Sequence, residues 1–438
     1  MSSLDTIYAL SSGSGKAGVA VIRVSGPRSA YLLELCCGVL PKPRIATKVG
    51  IHVNQGTIKI DDGLVLWFPG PASFTGEDVA EFHLHGSLGI VRLFMSEMAL
   101  CPGVRSAEPG EFTRRAMRNG KFDLVAAEGL ADMLDAETSS QVKQALFHVD
   151  GRASEIFEQW RRRLIDAGAL VEACIDFSDE EGVADAAMPG IRNSLVQLHE
   201  TLKRHLLDSE RGKLNREGVR VVLVGAPNAG KSSLLNTLSG RELAIVSSEA
   251  GTTRDVIEVS LDLDGVTVIL SDTAGLRDSV DSHVERLGIE RTRDRLKAAN
   301  IVLNLSTYDT IWQNTGVDSL TYRIWTKADL FQPPVDCKYD LAVSSKTGDG
   351  IDDLLGLLTR SAHECAAGDE PALLVRERQV RAVQSAIAHI EKALEPDLAI
   401  EMMAEELRLA SRDISMLIGT VDVEDLLDAI FSRFCIGK

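Results

Sequence analysis

The 438-residue chain lacks several features that define large classes of proteins. It has no apolar run of about 18 residues, and its first residues show no basic segment followed by an apolar core, so we expect neither a membrane-spanning helix nor a secretory signal. Its seven cysteines are odd in number and none are paired as C-x-x-C, which indicates reduced thiols in the cytoplasm. The formal net charge of −17 argues against non-specific coating of nucleic acid, but it leaves room for a local basic surface.

The composition is that of a soluble globular protein, and the length predicts roughly three domains. Residues 1–121 mix strand and helix patterns, which indicates an α+β domain. Apolar residues recur at three- and four-residue spacing on both sides of a β-rich segment, for example over Ser139–Val171, which predicts helices. We therefore predict one helical domain, residues 122–215 and 361–438, interrupted by a domain inserted at 216–360. Two separate helical domains are the alternative.

The inserted segment opens with a strand, a glycine-containing loop and a helix. Val219–Val224 is a short β-branched run that is typical of a buried parallel strand. Gly225–Ser232 then matches G-x-x-x-x-G-K-[ST], and Leu234–Leu238 continues with helical spacing. The backbone N–H groups of such a loop surround phosphate oxygens at a helix N-terminus. The motif predicts that Lys231 reaches the β- and γ-phosphates and that the Ser232 hydroxyl binds Mg²⁺.

Four further motifs follow the loop in order. Gly251–Asp255 supplies hydroxyl groups that would close over the metal ion, and Asp272–Gly275 ends a strand with a carboxylate suited to the Mg²⁺ side of the site. Thr326–Asp329 and Ser344–Lys346 each follow an apolar strand. The carboxylate of Asp329 would accept both the ring N–H and the exocyclic amine of guanine, which adenine does not offer. Together the motifs predict a GTPase, against the alternatives of an ATPase or a degenerate domain.

These motifs resemble those of the translation-factor-like (TRAFAC) GTPases, and the whole chain resembles the MnmE (TrmE) family of tRNA-modification GTPases. The resemblance covers essentially all 438 residues. Its most specific elements are the phosphate loop, Gly-Thr-Thr-Arg-Asp at 251–255, Asn119-Gly120-Lys121 and the terminal Phe-Cys-Ile-Gly-Lys. It implies an N-terminal α+β domain that binds folate and forms a homodimer, together with a Ras-like G domain inside a helical domain.

The resemblance also implies a complete nucleotide site. The residues that it implies for GTP binding are Asn228, Ala229, Gly230, Lys231, Ser232, Ser233, Ser247, Ser248, Glu249, Ala250, Gly251, Thr252, Thr253, Asp272, Thr273, Ala274, Gly275, Thr326, Lys327, Asp329, Ser344, Ser345 and Lys346. It implies that Mg²⁺ is held by Ser232 and Thr253. It further implies a K⁺ ion, bound when two G domains pair face to face, with the ligands Asn228, Ser247, Glu249 and Thr252. A cation near the β–γ bridge would stabilise charge that develops in the transition state.

The catalytic group departs from the Ras pattern. Ras-like enzymes carry a glutamine just after the D-x-x-G motif, which is Asp272–Gly275 in this chain, and it orients the attacking water. This chain has Leu276 in that place, and leucine has no polar group to orient water. The resemblance implies that Glu285 organises the water instead; a solvated glutamate at a helix start is the alternative. It also implies that potassium, and not Arg254, supplies the positive charge.

Two features also depart from the family. Thr326 stands where the family has asparagine, so we expect weaker affinity for the base, with selectivity preserved by Asp329. The segment from Leu305 to Ile324 is short for the family.

The resemblance implies a second chemistry at the two ends of the chain. With a flavin-containing partner (MnmG, also called GidA) in a heterotetramer, the family installs a carboxymethylaminomethyl-type group at C5 of the wobble uridine of certain tRNAs, using a tetrahydrofolate carbon. The implied folate-binding residues are Arg23, Glu81, Lys121 and Lys438. Arg23 and Lys121 suit the carboxylates of a folate tail, and Glu81 suits the amino-pyrimidine edge of a pterin. Surface ion pairs are the alternative.

The terminal cysteine and two basic clusters complete the candidates. Cys435 is implied to lie near the folate, as a nucleophile or as a structural thiol, and its sequence context fits a prenylation box poorly. Arg114, Arg115, Arg118 and Lys121 form one basic cluster, and Arg161–Arg163 form the other. Both are candidate tRNA contacts, with a solvated helix face as the alternative.

Two other functions compete with tRNA modification. One is a ribosome-associated regulatory GTPase with no modifying activity, and the other is a membrane-anchored signalling GTPase.

Overall fold

The computed structural model describes residues 5–177, 183–241, 243–245, 258–272, 294–308, 312, 319–334, 338–366, 368, 370–419 and 437. The chain divides into two compact units. The first contains Met1–Ala131, Ser154–Gln159 and Ile414–Lys438, and the second contains Asp132–Ala153 and Trp160–Asp413. Within the described residues, no helix combines the length and the apolar character needed to cross a membrane.

The first unit is built on a six-stranded sheet with the order β3-β4-β5-β2-β1-β6. Its strands are β1 (Thr6–Leu10), β2 (Ala17–Ser25), β3 (Thr47–Val53), β4 (Ile58–Phe68), β5 (Val79–Gly86) and β6 (Val104–Ser106). Neighbouring strands are antiparallel except for β1 and β6, which are parallel. The helices that lie wholly within it are α1 (Ser29–Cys37), α2 (Leu88–Leu100) and α3 (Glu111–Arg118). The mixture confirms the α+β class predicted for this part of the chain.

Strand β5 shows that the two faces of the sheet differ in character. Ala80, Phe82 and Leu84 are buried, and the Phe82 ring lies 4.8 Å from that of Phe94 on α2. Because side chains alternate along a strand, Glu81 and His83 point to the opposite face. Arg23 of β2 is the direct cross-strand partner of Glu81, so it shares that face.

The residues of the predicted basic cluster in and just after α3 differ in how far they are buried. Arg115 is buried, and its guanidinium nitrogens lie 2.8 Å from Asp5 Oδ1, 3.0 Å from Glu111 Oε1 and 3.1 Å from Glu77 Oε2. Arg118 and Lys121 are exposed. The prediction that Arg115 contacts tRNA is therefore wrong, because its charge is already neutralised by carboxylates inside the unit.

The same network shifts the acidity of its carboxylates. Burial raises the pKa of Glu111, but hydrogen bonds from Arg105, from the Glu108 N–H and from Arg115 outweigh it and hold that pKa below its usual value. Burial also raises the pKa of Asp5, but the hydrogen bonds and positive charges of Arg105 and Arg115 lower it by more, so the net shift is downward. These ion pairs therefore stabilise the folded unit above the pH at which the unfolded carboxyls titrate.

We expect Arg115→Met to destabilise the first unit by about 3 kcal/mol, because the substitution leaves buried carboxylates without their partner. Arg118→Met on the same helix is the matched control and should change stability by less than about 0.5 kcal/mol. Hydrogen exchange of β1 and α3 peptides measures both. The difference should be full above pH about 4.5 and shrink as Asp5 and Glu111 take up protons below it. Equal protection in the two variants would contradict a structural role for Arg115.

The second unit contains a seven-stranded sheet with the order β13-β12-β11-β7-β10-β9-β8. Its strands are β7 (Val219–Gly225), β8 (Ala244–Ile245), β9 (Glu258–Leu263), β10 (Val266–Asp272), β11 (Ile301–Ser306), β12 (Leu320–Trp325) and β13 (Leu341–Ala342). Strand β7 lies between β10 and β11, parallel to both, and β12 and β13 continue in the same direction. The carboxyl ends of these strands therefore meet at one edge, where ligands of open α/β sheets bind.

The remaining helices are α4 (Leu124–Asp135), α5 (Ser139–Val149), α6 (Arg152–Asp176), α7 (Val183–Leu207), α8 (Ser209–Glu217), α9 (Lys231–Ser239), α10 (Ile351–Ala366), α11 (Glu377–Ala393) and α12 (Ile400–Ile418). Helix α7, before the sheet in sequence, packs on α11, after it. Arg192 on α7 donates to the Leu394 carbonyl at 2.8 Å, and the Gln144 amide bonds both the N–H and the carbonyl of Ala372. The prediction of a helical domain interrupted by an inserted α/β domain is confirmed.

Candidate nucleotide site and a cavity in the first unit

The phosphate loop joins β7 to α9. Gly225 ends the strand so close to β11 that a Cβ there would lie 2.6 Å from the Leu305 carbonyl oxygen. Asn228 and Gly230 adopt left-handed conformations, with φ of 67° and 87°, and α9 begins immediately afterwards at Lys231. These backbone turns direct the loop around the N-terminus of a helix, where the helix dipole favours anions.

Lys231 lies inside this loop. Its side chain is buried, and Nζ donates to the carbonyl oxygens of Gly225 at 2.7 Å and Ala226 at 3.0 Å. Ser232 and Ser233 are exposed on the first turn of α9. Asp272 ends the neighbouring strand β10, in register with Leu223 of β7, and is buried. The loop, the lysine and the carboxylate are thus brought to the same edge of the sheet.

Thr326 connects the end of β12 to the phosphate loop. Its hydroxyl is buried between two carbonyl oxygens, 2.8 Å from that of Ala229 and 3.0 Å from that of Ser306. A hydroxyl carries one hydrogen and donates to one of them at a time, whereas the amide of the family's asparagine has two N–H donors. The substitution keeps the connection but supplies fewer hydrogen bonds, which is the physical reason to expect weaker base affinity.

The carboxylate of Asp329 is oriented by the loop after β13. The buried Ser344 hydroxyl donates to Asp329 Oδ1 at 2.7 Å, and the backbone N–H groups of Lys346 and Thr347 donate to the same hydroxyl at 3.3 Å and 3.2 Å. The Ser345 carbonyl accepts from Thr237 on α9 at 3.2 Å. These contacts link the predicted base-binding loop to the helix that follows the phosphate loop.

Several predicted site residues fall outside the described residues. They are Ser247, Ser248, Glu249, Ala250, Gly251, Thr252, Thr253, Thr273, Ala274, Gly275, Glu285, Cys435 and Lys438, together with Arg254 and Leu276. Of the short segment 305–324, residues 309–311 and 313–318 also lie outside them. Their roles stay predictions.

Arg23 and Glu81, two of the predicted folate residues, lie on the face of the first unit's sheet opposite to Phe82. Arg23 Nε and Nη2 donate to Glu81 Oε1 at 3.0 Å and 2.9 Å. Glu81 and Lys121 both line a cavity of about 350 Å³. The other residues that line it are Arg44, Phe68, Ala72, Ser73, Phe74 and Val79. Gly437, near the end of the chain, accepts a hydrogen bond from the Ser11 hydroxyl at 3.0 Å in the same unit.

Sequence reasoning missed two neighbours of the Arg23–Glu81 pair. His83 Nε2 lies 3.4 Å from Glu81 Oε2, and the Phe74 ring centroid lies 5.2 Å from the Arg23 guanidinium carbon. The alternation of side chains along β5 was the sequence signal for His83, because residues two apart share a face.

In the second basic cluster, Arg163 donates to the Ser194 carbonyl at 2.9 Å and so contributes to helix packing.

Comparison with known proteins gives full-length matches. The family model "GTP-binding protein TrmE N-terminus" matches residues 6–121, and the model "MnmE helical domain" matches residues 124–435. The chain is 47% identical over 437 residues to the tRNA modification GTPase MnmE of Brucella anthropi, covering 99% of this chain and 98% of that protein. It is 46% identical, with the same coverage, to the MnmE of Brucella canis. A solved G domain of the T. maritima FeoB iron transporter is 24% identical, with a TM-score of 0.25, over 33% of this chain and 98% of that one.

Proposed function

The chain belongs to the MnmE family of tRNA modification GTPases and is a GTP hydrolase of that family, and on this premise we propose that it acts in the modification of the wobble uridine of certain tRNAs in the cytoplasm. The observation that carries the GTPase part is the convergence of Lys231, Thr326 and the Asp329–Ser344 pair at one edge of a sheet. The loop predicted to bind phosphate and the carboxylate predicted to read guanine thus lie at the same edge, and the Thr237–Ser345 hydrogen bond links α9 to the loop that orients Asp329.

Within this site, Lys231 would neutralise the β- and γ-phosphates, and Asp329 would select guanine. The exposed Ser232 hydroxyl and the buried Asp272 carboxylate are oxygen donors of the kind that Mg²⁺ prefers, so they fit that ion, with Thr253 as the further ligand. When bound, Mg²⁺ would neutralise charge on the phosphates. Glu285 would orient the attacking water.

The potassium site rests on Asn228 together with Ser247, Glu249 and Thr252. Asn228 fits this role because its side chain is exposed on a left-handed turn of the phosphate loop. A monovalent cation held there would supply the charge stabilisation that an arginine supplies in other GTPases.

We expect GTP turnover to be at least about tenfold faster in KCl than in NaCl at equal ionic strength, because a cation that fits the ligands stabilises the transition state. Asn228→Ala should remove the difference between the two salts. Steady-state phosphate release measures both variants under matched conditions. Equal rates of the wild type in the two salts would remove potassium from the mechanism.

For the second chemistry, we propose that the cavity of the first unit takes a tetrahydrofolate derivative, 5,10-methylene- or 5-formyl-, near Cys435 and Lys438. Glu81 and Lys121, which line it, offer an acceptor for a pterin edge and a cation for a carboxylate tail. When bound, the folate would supply the one-carbon unit. We further propose a homodimer through the N-terminal domain, residues 1–121, and a heterotetramer with the flavoprotein MnmG (GidA).

The proposed function is tested by mass spectrometry of bulk tRNA nucleosides from a strain in which the gene is deleted. C5-modified wobble uridines should disappear and return when the wild-type gene is restored, but not with a Lys231→Met variant. Unchanged modified uridines in the deletion strain would overturn the modification function and favour a regulatory GTPase. Co-purification with the flavoprotein tests the partner.

A further inference from the structure

The loop that follows β12 and carries Asp329 is closed by its own hydrogen bonds. The indole N–H of Trp325, the buried last residue of β12, donates to the Phe331 carbonyl at 2.8 Å. The Phe331 N–H donates to the Lys327 carbonyl at 3.1 Å, and Lys327 adopts a left-handed conformation with φ of 55°. Phe331 therefore fixes the far end of residues 325–331, which we call the base loop.

An aromatic stack joins the base loop to the neighbouring strand. The rings of Tyr308 and Phe331 are stacked, with their centroids 3.7 Å apart and an angle of 30° between their planes. Tyr308 lies two residues beyond the end of β11, which pairs in parallel with β12, so the stack lies at the carboxyl edge of the sheet. Tyr308 is 60% exposed, so its ring adds little to the core. Because aromatic pairs attract each other, the stack anchors the base loop from outside the sheet.

The start of the base loop has a more limited anchor. The Thr326 hydroxyl lies between the carbonyl oxygens of Ala229 and Ser306, but it has one hydrogen to donate. Asp329 lies between Thr326 and Phe331 in the chain, so its position depends on both ends of the loop. A group that binds a ligand through directed hydrogen bonds must be held within about 0.5 Å of its productive position. The anchor at Phe331 therefore affects how well the Asp329 carboxylate meets a base.

We propose that Tyr308 is a positioning residue for guanine recognition, which stacks on Phe331 and holds the base loop where Asp329 accepts both N–H donors of the base. Tyr308 acts through Asp329 and does not itself contact the nucleotide. The inference deepens the proposed GTP site and rests on the role of Asp329 in it. It gives a function to an exposed aromatic side chain that lies outside the nucleotide-binding motifs.

The test compares GDP with IDP by calorimetry on the full-length protein in the presence of Mg²⁺. The base of IDP keeps the ring N–H of guanine but lacks the 2-amino group, so it offers Asp329 one donor in place of two. Tyr308→Ala should lower the affinity for GDP about tenfold and the affinity for IDP about threefold, because a displaced carboxylate weakens two contacts in GDP and one in IDP. Tyr308→Phe keeps the ring and should bind both nucleotides as the wild type does.

Two further variants make the result specific to the stack. Phe331→Leu removes the other ring and should lower the affinity for GDP to the same extent. Since both substitutions remove one contact, the double variant should lose about tenfold in affinity and not about a hundredfold. Tyr339→Ala is the matched control, because this tyrosine is 41% exposed and precedes β13 at the opposite edge of the sheet. It should leave both affinities unchanged.

The outcomes distinguish the role of Tyr308 from that of Asp329. Wild-type affinity for GDP in Tyr308→Ala, an equal loss for both nucleotides, or additive losses in the double variant would overturn the role of Tyr308 and leave Asp329 as the residue that reads the base. A loss in Tyr308→Phe as large as in Tyr308→Ala would assign the effect to the hydroxyl group and overturn the stack. A wild-type protein that binds GDP and IDP equally would overturn the role of Asp329 and that of Tyr308 together.

Discussion

Asp329→Asn should lower kcat/KM for GTP by at least about 10³-fold and raise it for xanthosine triphosphate, so that the preferred nucleotide is exchanged. Guanine presents a ring N–H and a 2-amino group, and a carboxylate accepts from both. The asparagine amide has one acceptor and one donor, so its N–H groups would face the 2-amino group of guanine. Xanthine has a carbonyl in that place and complements the amide. The effect is large because the mismatch leaves polar groups of the base and of the side chain unpaired once the bound base covers them.

The structure makes this exchange testable without loss of the loop. Ser344 donates to Asp329 Oδ1 at 2.7 Å, and the carbonyl oxygen of an asparagine can accept the same hydrogen bond. Asp349→Asn is the matched control, because that nearby carboxylate accepts from Thr347 at 2.7 Å within the same loop. Steady-state kinetics with both nucleotides give the ratio. If Asp329→Asn keeps the wild-type preference, Asp329 does not read the base.

The sequence predicted the strand, loop and helix of the phosphate-loop motif well because their determinants are local. Val219–Val224 is β-branched and apolar, and the strand and turn that it predicts depend on residues within about ten positions. The contact of Thr326 with the Ala229 carbonyl joins residues 97 positions apart. Only the folded sheet brings them together, so the sequence identified the unusual threonine but not its hydrogen-bond partner.

The burial of single side chains and the breaks between consecutive helices were harder to predict. Arg115 has the same local pattern as Arg118, yet it is buried by Asp5, which is 110 positions away in sequence. Ser139–Val171 has continuous helical spacing, but the structure divides it into α5 and α6 at Gly151, whose φ is 80°. Both segments keep their apolar faces, so periodicity alone does not reveal the break. A glycine inside a periodic run was the available signal.

Glu285→Ala should slow GTP hydrolysis by about 10²- to 10³-fold, while the dissociation constant for GTP stays within about twofold. Loss of a group that positions water affects the transition state alone, so kcat falls without a change in ground-state binding. Leu276 cannot substitute for the missing group, since its side chain neither donates nor accepts a hydrogen bond. Single-turnover kinetics and equilibrium binding of a fluorescent GTP analogue separate the two quantities.

Two further variants make this result specific. Lys231→Met removes an ammonium group that contacts the loop carbonyls of Gly225 and Ala226, and it should lower GTP affinity as well as turnover. Glu258→Ala removes an exposed carboxylate on β9 and should leave both quantities unchanged. The three variants therefore distinguish loss of catalysis, loss of binding and loss of charge alone. A wild-type rate in Glu285→Ala would assign the water to another polar residue, and a parallel loss of affinity would make Glu285 part of the binding site.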